Sequence, residues 1–190
     1  MVMPQIDSTA PALHGRNVYT GWFLTFGVDD ETLRKELAIN GTPEASPRLM
    51  LIRLGDKGAF KVSPVTGKVL GVELFGVRLQ SSEILREQPP RTRNQAAMTI
   101  PLKLPYHPII FEQANGEVES REAGFRHIGY KVATTRSADR FRVQLFRAGE
   151  VDRYFRISNS LIAGLDEEGI LAELWFEDVE PARVPDLPIG

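Results

Sequence analysis

Apolar and polar residues alternate along most of this chain, and the alternation is clearest in residues 138–158. The spacing of two between apolar side chains is the period of a half-buried strand. A short loop that ends in Gly149 interrupts it, and a loop with glycine in its last position is a common hairpin closure. The pattern therefore predicts one β-hairpin. Its apolar face is predicted to hold Phe141, Val143, Leu145, Val151, Phe155 and Ile157.

The other face of this predicted hairpin is rich in arginine. In the same register Arg140 is opposite Arg156, and Arg142 is opposite Tyr154. Two arginines directly opposed on a sheet are destabilising unless negative charge lies between them. Guanidinium groups suit phosphate, and a neighbouring aromatic ring allows base stacking. The sequence therefore offers these four residues as a candidate site for nucleic acid or another anion.

The charge pattern also provides an alternative in which the arginines are neutralised internally. Residues 121–156 hold nine Arg or Lys against four Asp or Glu, whereas residues 166–186 hold eight Asp or Glu against one Arg. A predicted strand over residues 170–177 has Glu173 and Glu177 on its polar face. If this strand lies beside the hairpin, its carboxylates meet the arginines. Internal pairing is the alternative we favour.

Strand-like segments separated by turn residues recur along the chain. Residues 18–26 are apolar on both faces and are predicted to form one central strand. One short helix is predicted over residues 30–39, with Asp29 or Asp30 as its cap and Asn40-Gly41 as its stop. We therefore predict a mainly β protein, either an antiparallel β-sandwich or a partly closed barrel.

The predicted organisation is a single β-rich domain with extended ends. Residues 1–16 are predicted to form an extended N-terminal arm and residues 17–180 the domain. A proline-containing loop at residues 88–95 is a possible internal division. Residues 181–190 contain three prolines and are predicted to form an extended tail.

Composition narrows the function classes. The 190 residues carry a formal net charge of −2, which argues against a globally basic nucleic-acid binder but allows a local basic patch. The absence of cysteine excludes disulfides, thiolate metal sites and cysteine nucleophiles. The N-terminus lacks the pattern of a signal peptide, and no apolar run reaches membrane-spanning length. A cytoplasmic protein without a membrane partner is the resulting expectation.

Few residues suggest catalysis, and we predict neither a metal nor another cofactor. His14, His107 and His127 are far apart, and none has metal-ligand spacing to another histidine or carboxylate. Glu112 and Glu119 are predicted to face each other across an Asn-Gly turn, where an acidic hairpin tip is favoured over an acid–base pair. Glycine-rich phosphate loops and nucleophile elbows do not occur in the sequence.

These observations favour a non-catalytic structural or interaction subunit of a larger assembly, such as a virion or tail, a secretion apparatus or a nucleoprotein complex. Protein partner chains are then expected. The first alternative is nucleic-acid or polyanion binding through the arginine face. The second is a small-ligand-binding barrel or enzyme with a site lined by Trp22, Phe23, Tyr130 and Trp175.

Overall fold

The computed structural model of the protein describes residues 4–38, 49–53, 57–100, 129–146 and 149–182, and gives residues 110–112 and 118–120 as strands. Of these residues 49% are in strands and 7% are helical, so the fold is mainly β, as predicted. The described strands are β1 (Gln5–Asp7), β2 (Gly15–Tyr19), β3 (Leu24–Val28), β4 (Met50–Arg53), β5 (Gly58–Val62), β6 (Val69–Leu74), β7 (Glu83–Ile84), β8 (Ala97–Thr99), β9 (Ile110–Glu112), β10 (Val118–Ser120), β11 (Tyr130–Thr134), β12 (Phe141–Leu145), β13 (Val151–Arg156), β14 (Leu161–Asp166), β15 (Leu171–Phe176) and β16 (Glu180–Pro181).

Two sheets pack face to face as a β-sandwich. The eight-stranded sheet has the order β16-β2-β3-β6-β5-β4-β10-β9, and the six-stranded sheet has the order β13-β14-β15-β12-β11-β7. Most neighbouring strands are antiparallel, and β1 pairs with β8 in a separate two-stranded ladder. Within the described residues neither sheet closes into a barrel. Of the two predicted architectures, the structure therefore has the sandwich.

Leu, Val and Phe side chains fill the space between the sheets. Phe60 of the eight-stranded sheet and Phe141 and Phe176 of the six-stranded sheet are among the largest fully buried side chains. The Tyr19 ring lies 5.1 Å from the Phe141 ring and so joins the two sheets directly. The predicted inward face of β12 is confirmed, because Phe141 and its alternate neighbours all belong to this core.

The predicted hairpin over residues 138–158 is wrong. Both halves are strands, but β12 pairs with β11 and β15, and β13 pairs with β14. The β14–β15 hairpin therefore lies between the two strands that the sequence pattern joined. All residues of β14 and β15 are buried, and strands covered on both faces belong at the centre of a sheet.

A β-bulge in β13 changes the face of one predicted core residue. The register between β13 and β14 shifts between Val151 and Arg153. As a result the Val151 side chain lies against Gly164 together with Tyr154, on the outer face of the sheet. The predicted inward position of Val151 is therefore wrong, whereas Phe155 packs against the core as predicted.

Residues 18–26 form two strands rather than one. β2 and β3 are antiparallel neighbours, joined by a tight turn in which Gly21 has φ +92°. The Thr20 amide donates to the Phe23 carbonyl (3.0 Å), and the Phe23 amide donates to Thr20 Oγ1 (3.0 Å). The turn places Trp22 and Phe23 at the surface instead of in a central strand.

The helix α1 (Asp30–Glu36) begins where it is predicted and ends earlier. The Asp29 side chain accepts from the Thr32 amide (2.7 Å), so Asp29 is its N-cap. The predicted Asn40-Gly41 stop lies outside the described residues. Neither α1 nor any other helical stretch in the described part of the chain is long and apolar enough to cross a membrane.

The segment predicted as an N-terminal arm is tied to the domain where the structure describes it. β1 pairs with β8, and the Leu13 amide donates to the Ile157 carbonyl (3.0 Å). At the other end β16 pairs with β2 in parallel. Residues 183–190 of the predicted tail lie outside the described residues.

We expect Phe141→Ala to destabilise the protein by about 3–5 kcal/mol, because it leaves a cavity where the two sheets meet. Urea unfolding followed by circular dichroism measures this. Phe146→Ala is the matched control, since Phe146 is exposed and its truncation should change the free energy of unfolding by less than about 1 kcal/mol. Equal losses in both variants would contradict this core.

A second prediction concerns Asp166, which closes the β14–β15 turn. Its carboxylate accepts from the amides of Gly149 (3.0 Å), Glu168 (3.0 Å) and Ile170 (2.8 Å), and these bonds lower its pKa. A lowered pKa adds stability above the unfolded value near 3.8, and this stability is lost as pH falls through the folded pKa. Asp166→Asn should therefore reduce the urea midpoint at neutral pH and flatten its acid dependence. The exposed Asp152→Asn variant should keep the wild-type profile.

Candidate functional site

A strap of residues 85–96 crosses the outer face of the six-stranded sheet. At its start the Leu85 amide donates to the Thr134 carbonyl of β11 (2.9 Å). At its end the Arg156 amide of β13 donates to the Asn94 carbonyl (2.7 Å). The side chain of Leu85 is buried and packs in one cluster with Trp175 and other outer-face residues. The strap therefore joins the two borders of the sheet and covers its centre.

The four predicted site residues do share this outer face, although not through direct pairing. In the sheet, Arg142 of β12 pairs with Trp175 of β15, and Trp175 pairs with Ile162 of β14. Ile162 in turn pairs with Arg156 of β13. The predicted pairs Arg140–Arg156 and Arg142–Tyr154 are thus separated by the two strands β14 and β15.

Arg156 is bound to a carboxylate of the acidic segment. Its Nη1 lies 2.8 Å from Glu177 Oε2 and donates to the Asn159 carbonyl (3.1 Å). Both charged side chains are mostly covered, which makes the pair less exposed to screening by solvent than a surface ion pair. Although β13 and β15 are not neighbours, the long arginine side chain spans the gap. This is the contact that the internal-neutralisation alternative expects.

Tyr154 reaches across the sheet to a second buried carboxylate. Its hydroxyl donates to Glu173 Oε1 (3.1 Å), and the Trp175 indole donates to the same oxygen. Desolvation, followed by the charge of Glu173, raises the pKa of Tyr154 to about 12. Gly164 makes this arrangement possible, because a Cβ atom there would lie only 3.0 Å from Tyr154 Cε1.

Arg142 and Arg140 contact the strap. Arg142 Nη1 lies 3.3 Å from Glu87 Oε1, and its guanidinium is 5.7 Å from the centre of the Trp175 ring. Arg140 Nη1 donates to Gln88 Oε1 (3.4 Å). Arg142 and Arg156 are thus paired with carboxylates, whereas Arg140 contacts a neutral amide oxygen. The capacity of this face to bind an external ligand stays a prediction.

A cleft of about 600 Å³ opens beside the strap. Arg91 and Arg93 of the strap and Arg156 of β13 supply its positive charge, and Glu177 supplies its carboxylate. Arg91 and Arg93 are exposed, and neither has an ion-pair partner within the described residues. The remaining lining residues are Gln88, Pro89, Pro90 and Thr92.

A second surface, which we call the aromatic end, contains three of the four residues predicted to line a ligand site, whereas the fourth, Trp175, lies under the strap. The aromatic end comprises Trp22, Phe23, Phe75, Tyr130 and Phe146, at one end of the sandwich. The exposed fractions of Trp22, Phe23 and Phe146 are 42%, 42% and 55%. The Phe23 and Phe75 rings meet edge to face at 5.5 Å. Gly21, at the predicted strand's centre, was the available signal that this segment turns and exposes its aromatic residues.

A groove of about 290 Å³ lies at the aromatic end, between the ends of strands from the two sheets. Phe75 follows β6 of one sheet, and Tyr130 and Phe146 belong to or follow strands of the other. The lining includes three cationic residues and no carboxylate. The cationic residues are Lys57, Arg78 and Lys131.

Backbone contacts hold the aromatic side chains in place. The Val77 amide donates to the Trp22 carbonyl (3.0 Å), and the Arg78 guanidinium lies 4.5 Å from the centre of the Trp22 ring. The Phe146 ring lies over Gly129, where a Cβ atom would come within 2.5 Å of it. The Tyr130 hydroxyl donates to the Phe75 carbonyl and so links the two sheets. The surface is therefore preformed rather than loose.

The residues considered for catalysis are not brought together where the structure describes them. His14 Nδ1 lies 2.9 Å from Asp29 Oδ2 at the surface, and His107 and His127 lie outside the described residues. Glu112 is level with Val118, and Glu119 with Phe111, so the predicted facing of the two glutamates is wrong. Among the described residues no three His, Cys, Asp or Glu side chains form a group suited to a metal ion.

Comparison of the chain with protein-family models and with curated proteins found no match. Function therefore has to be inferred from the chemistry of the two surfaces, the cleft beside the strap and the groove at the aromatic end.

We predict that Glu173→Gln lowers the pKa of Tyr154 from about 12 toward the ordinary value of 10. The substitution removes the negative charge beside the hydroxyl but leaves the desolvation, so the new pKa should fall between these values. Tyrosinate absorbance during alkaline titration measures it, and Tyr154→Phe identifies the transition. An unchanged pKa in Glu173→Gln would show that the two side chains do not interact.

Proposed function

We propose that this chain is a non-catalytic interaction subunit that docks onto a partner protein through its aromatic end. The observation that carries the proposal is the exposure of Phe146, which lines the groove, and of two further aromatic residues beside it. These are Trp22 and Phe23, which contact the lining residues Arg78 and Phe75. Large aromatic side chains are enriched at interfaces and supply most of their binding energy when buried by a partner. An exposed aromatic cluster beside a preformed groove is typical of a docking surface.

Charge indicates the chemistry of the partner. Lys57, Arg78 and Lys131 border the groove, and its lining contains no carboxylate. Lys131 contacts Glu83 (2.7 Å) outside that lining, while Arg78 lies against Trp22. A complementary segment would therefore carry acidic residues next to hydrophobic ones, so that its side chains enter the groove and its carboxylates face the cations.

The engagement of polar side chains within the chain supports an interaction role. Tyr154, Trp175 and Glu173 bond to one another, and Arg156 bonds to Glu177. Tyr130, considered above as a lining residue of a ligand site, donates to a backbone carbonyl. Bonds of this kind stabilise the fold and keep these polar groups bonded within the chain. The assembly classes named above, virion or tail, secretion apparatus and nucleoprotein complex, are all settings in which such a subunit would act.

The test is a selection of displayed random peptides on the immobilised full-length protein. We expect the enriched peptides to combine aromatic or aliphatic residues with Asp or Glu. Affinity for a labelled enriched peptide should fall at least tenfold in Trp22→Ala and in Phe146→Ala, because truncation of an interface aromatic typically costs about 2 kcal/mol or more. Fluorescence anisotropy measures the affinity.

Val65→Ala is the matched control, since Val65 is also exposed (44%) but lies in the turn between β5 and β6, at the opposite end of these strands from Lys57 and Phe75. It should bind the peptide as the wild type does. Failure to enrich any peptide, or binding that is unaffected by both aromatic substitutions, would contradict docking at this surface.

A further inference from the structure

The cleft beside the strap carries an excess of positive charge that the fold does not use. Of its four charged lining residues, Arg156 and Glu177 neutralise each other at 2.8 Å. Arg91 and Arg93 are exposed and have no carboxylate partner in the described part of the chain. We infer that this cleft binds a phosphate group, held by Arg91 and Arg93 with Arg156 at the cleft wall.

The site differs from the arginine face predicted from the sequence. Arg140 and Arg142 lie between the six-stranded sheet and the strap. Arg140 contacts Gln88, and Arg142 contacts Glu87. Those contacts leave them turned toward the chain itself. The arginines available to a ligand are instead those of the strap, and Arg156 is the single residue common to both groups.

The strap presents its arginines from a constrained backbone. The Thr92 hydroxyl, between the two arginines, donates to the Tyr154 carbonyl (3.0 Å), and the next bonds to β13 follow at Asn94. Pro89 and Pro90 precede them and restrict the backbone φ angles. A binding group that is already fixed loses less conformational entropy when a ligand arrives. This favours the cleft over a flexible basic loop as an anion site.

The chemistry favours phosphate over a simple monoanion. Guanidinium groups bind phosphate oxygens in a planar, bidentate manner, and two unpaired guanidinium groups match a group that carries more than one negative charge. The cleft volume of about 600 Å³ lies within the range that accommodates small molecules. A phosphate ester of a small molecule and the backbone of a single-stranded nucleic acid present the same group, so both are sources to be distinguished.

Two probes distinguish these sources. Inorganic pyrophosphate is titrated into the full-length protein by isothermal titration calorimetry, and a fluorescein-labelled single-stranded DNA is titrated by anisotropy, both at low salt in buffer without phosphate. Binding of pyrophosphate assigns the site to small phosphate compounds. Binding of the DNA alone assigns it to a phosphodiester chain, and binding of neither overturns the proposal.

Variants decide whether the bound probe is in the cleft. Arg91→Ala/Arg93→Ala should weaken binding at least tenfold, and for DNA should reduce the slope of log K against log salt by about 1.4. Arg34→Ala/Lys35→Ala is the matched control, because it removes two exposed positive charges from α1. Equal loss in both double variants would indicate attraction by overall charge and would contradict a site in the cleft.

Glu177→Gln provides a test that misfolding cannot imitate. Removing the carboxylate frees the charge of Arg156 for the ligand, so binding should tighten by about fivefold. An affinity that is unchanged or weaker in Glu177→Gln, with a circular dichroism spectrum and urea midpoint like those of the wild type, would overturn the assignment.

Discussion

The burial of β14 and β15 on both faces is the constraint on which the rest of this structure depends. All residues of these two strands are buried, so each needs a cover on either side. The core between the sheets covers one face, and the strap covers the other through Leu85. Because two such strands belong at the centre of a sheet, they separate β12 from β13 and determine the order of the sheet.

The same constraint explains the polar network beneath the strap. Glu173 is buried there, and a buried carboxylate without hydrogen-bond donors would be strongly destabilising. Tyr154 and Trp175 provide those donors, and Gly164 leaves the room that Tyr154 needs to reach across β14. Tyr154 and Arg156, which the sequence suggested as part of a binding site, therefore bond to carboxylates of the chain itself. Arg91 and Arg93 of the strap are exposed and make no such bond within the described residues.

Local pattern was sufficient for the inward face of β12, but not for the strand boundaries within residues 18–26 or for the pairing of strands. The alternation of β12 correctly predicted its inward side chains, because side-chain direction in a strand depends only on neighbouring residues. Pairing depends on segments distant in sequence, and nothing within residues 138–158 indicates that β14 and β15 lie between its halves. The meeting of Arg156 with Glu177 could be anticipated from charge segregation, but the bulge at Val151 and the exposure of Trp22 follow from backbone geometry that hydrophobicity does not encode.

The two candidate surfaces lie at opposite ends of the six-stranded sheet. Phe146 follows β12, whereas the cleft is near Arg140, which precedes that strand, and six residues of strand span about 20 Å. Charges that far apart are largely screened at physiological salt, where the Debye length is about 8 Å. Among the described residues, the two surfaces are separated by the buried core of the sandwich. A protein segment at the aromatic end and a phosphate group beside the strap would therefore bind independently, and the chain would act as a rigid bridge between two partners rather than as a switch.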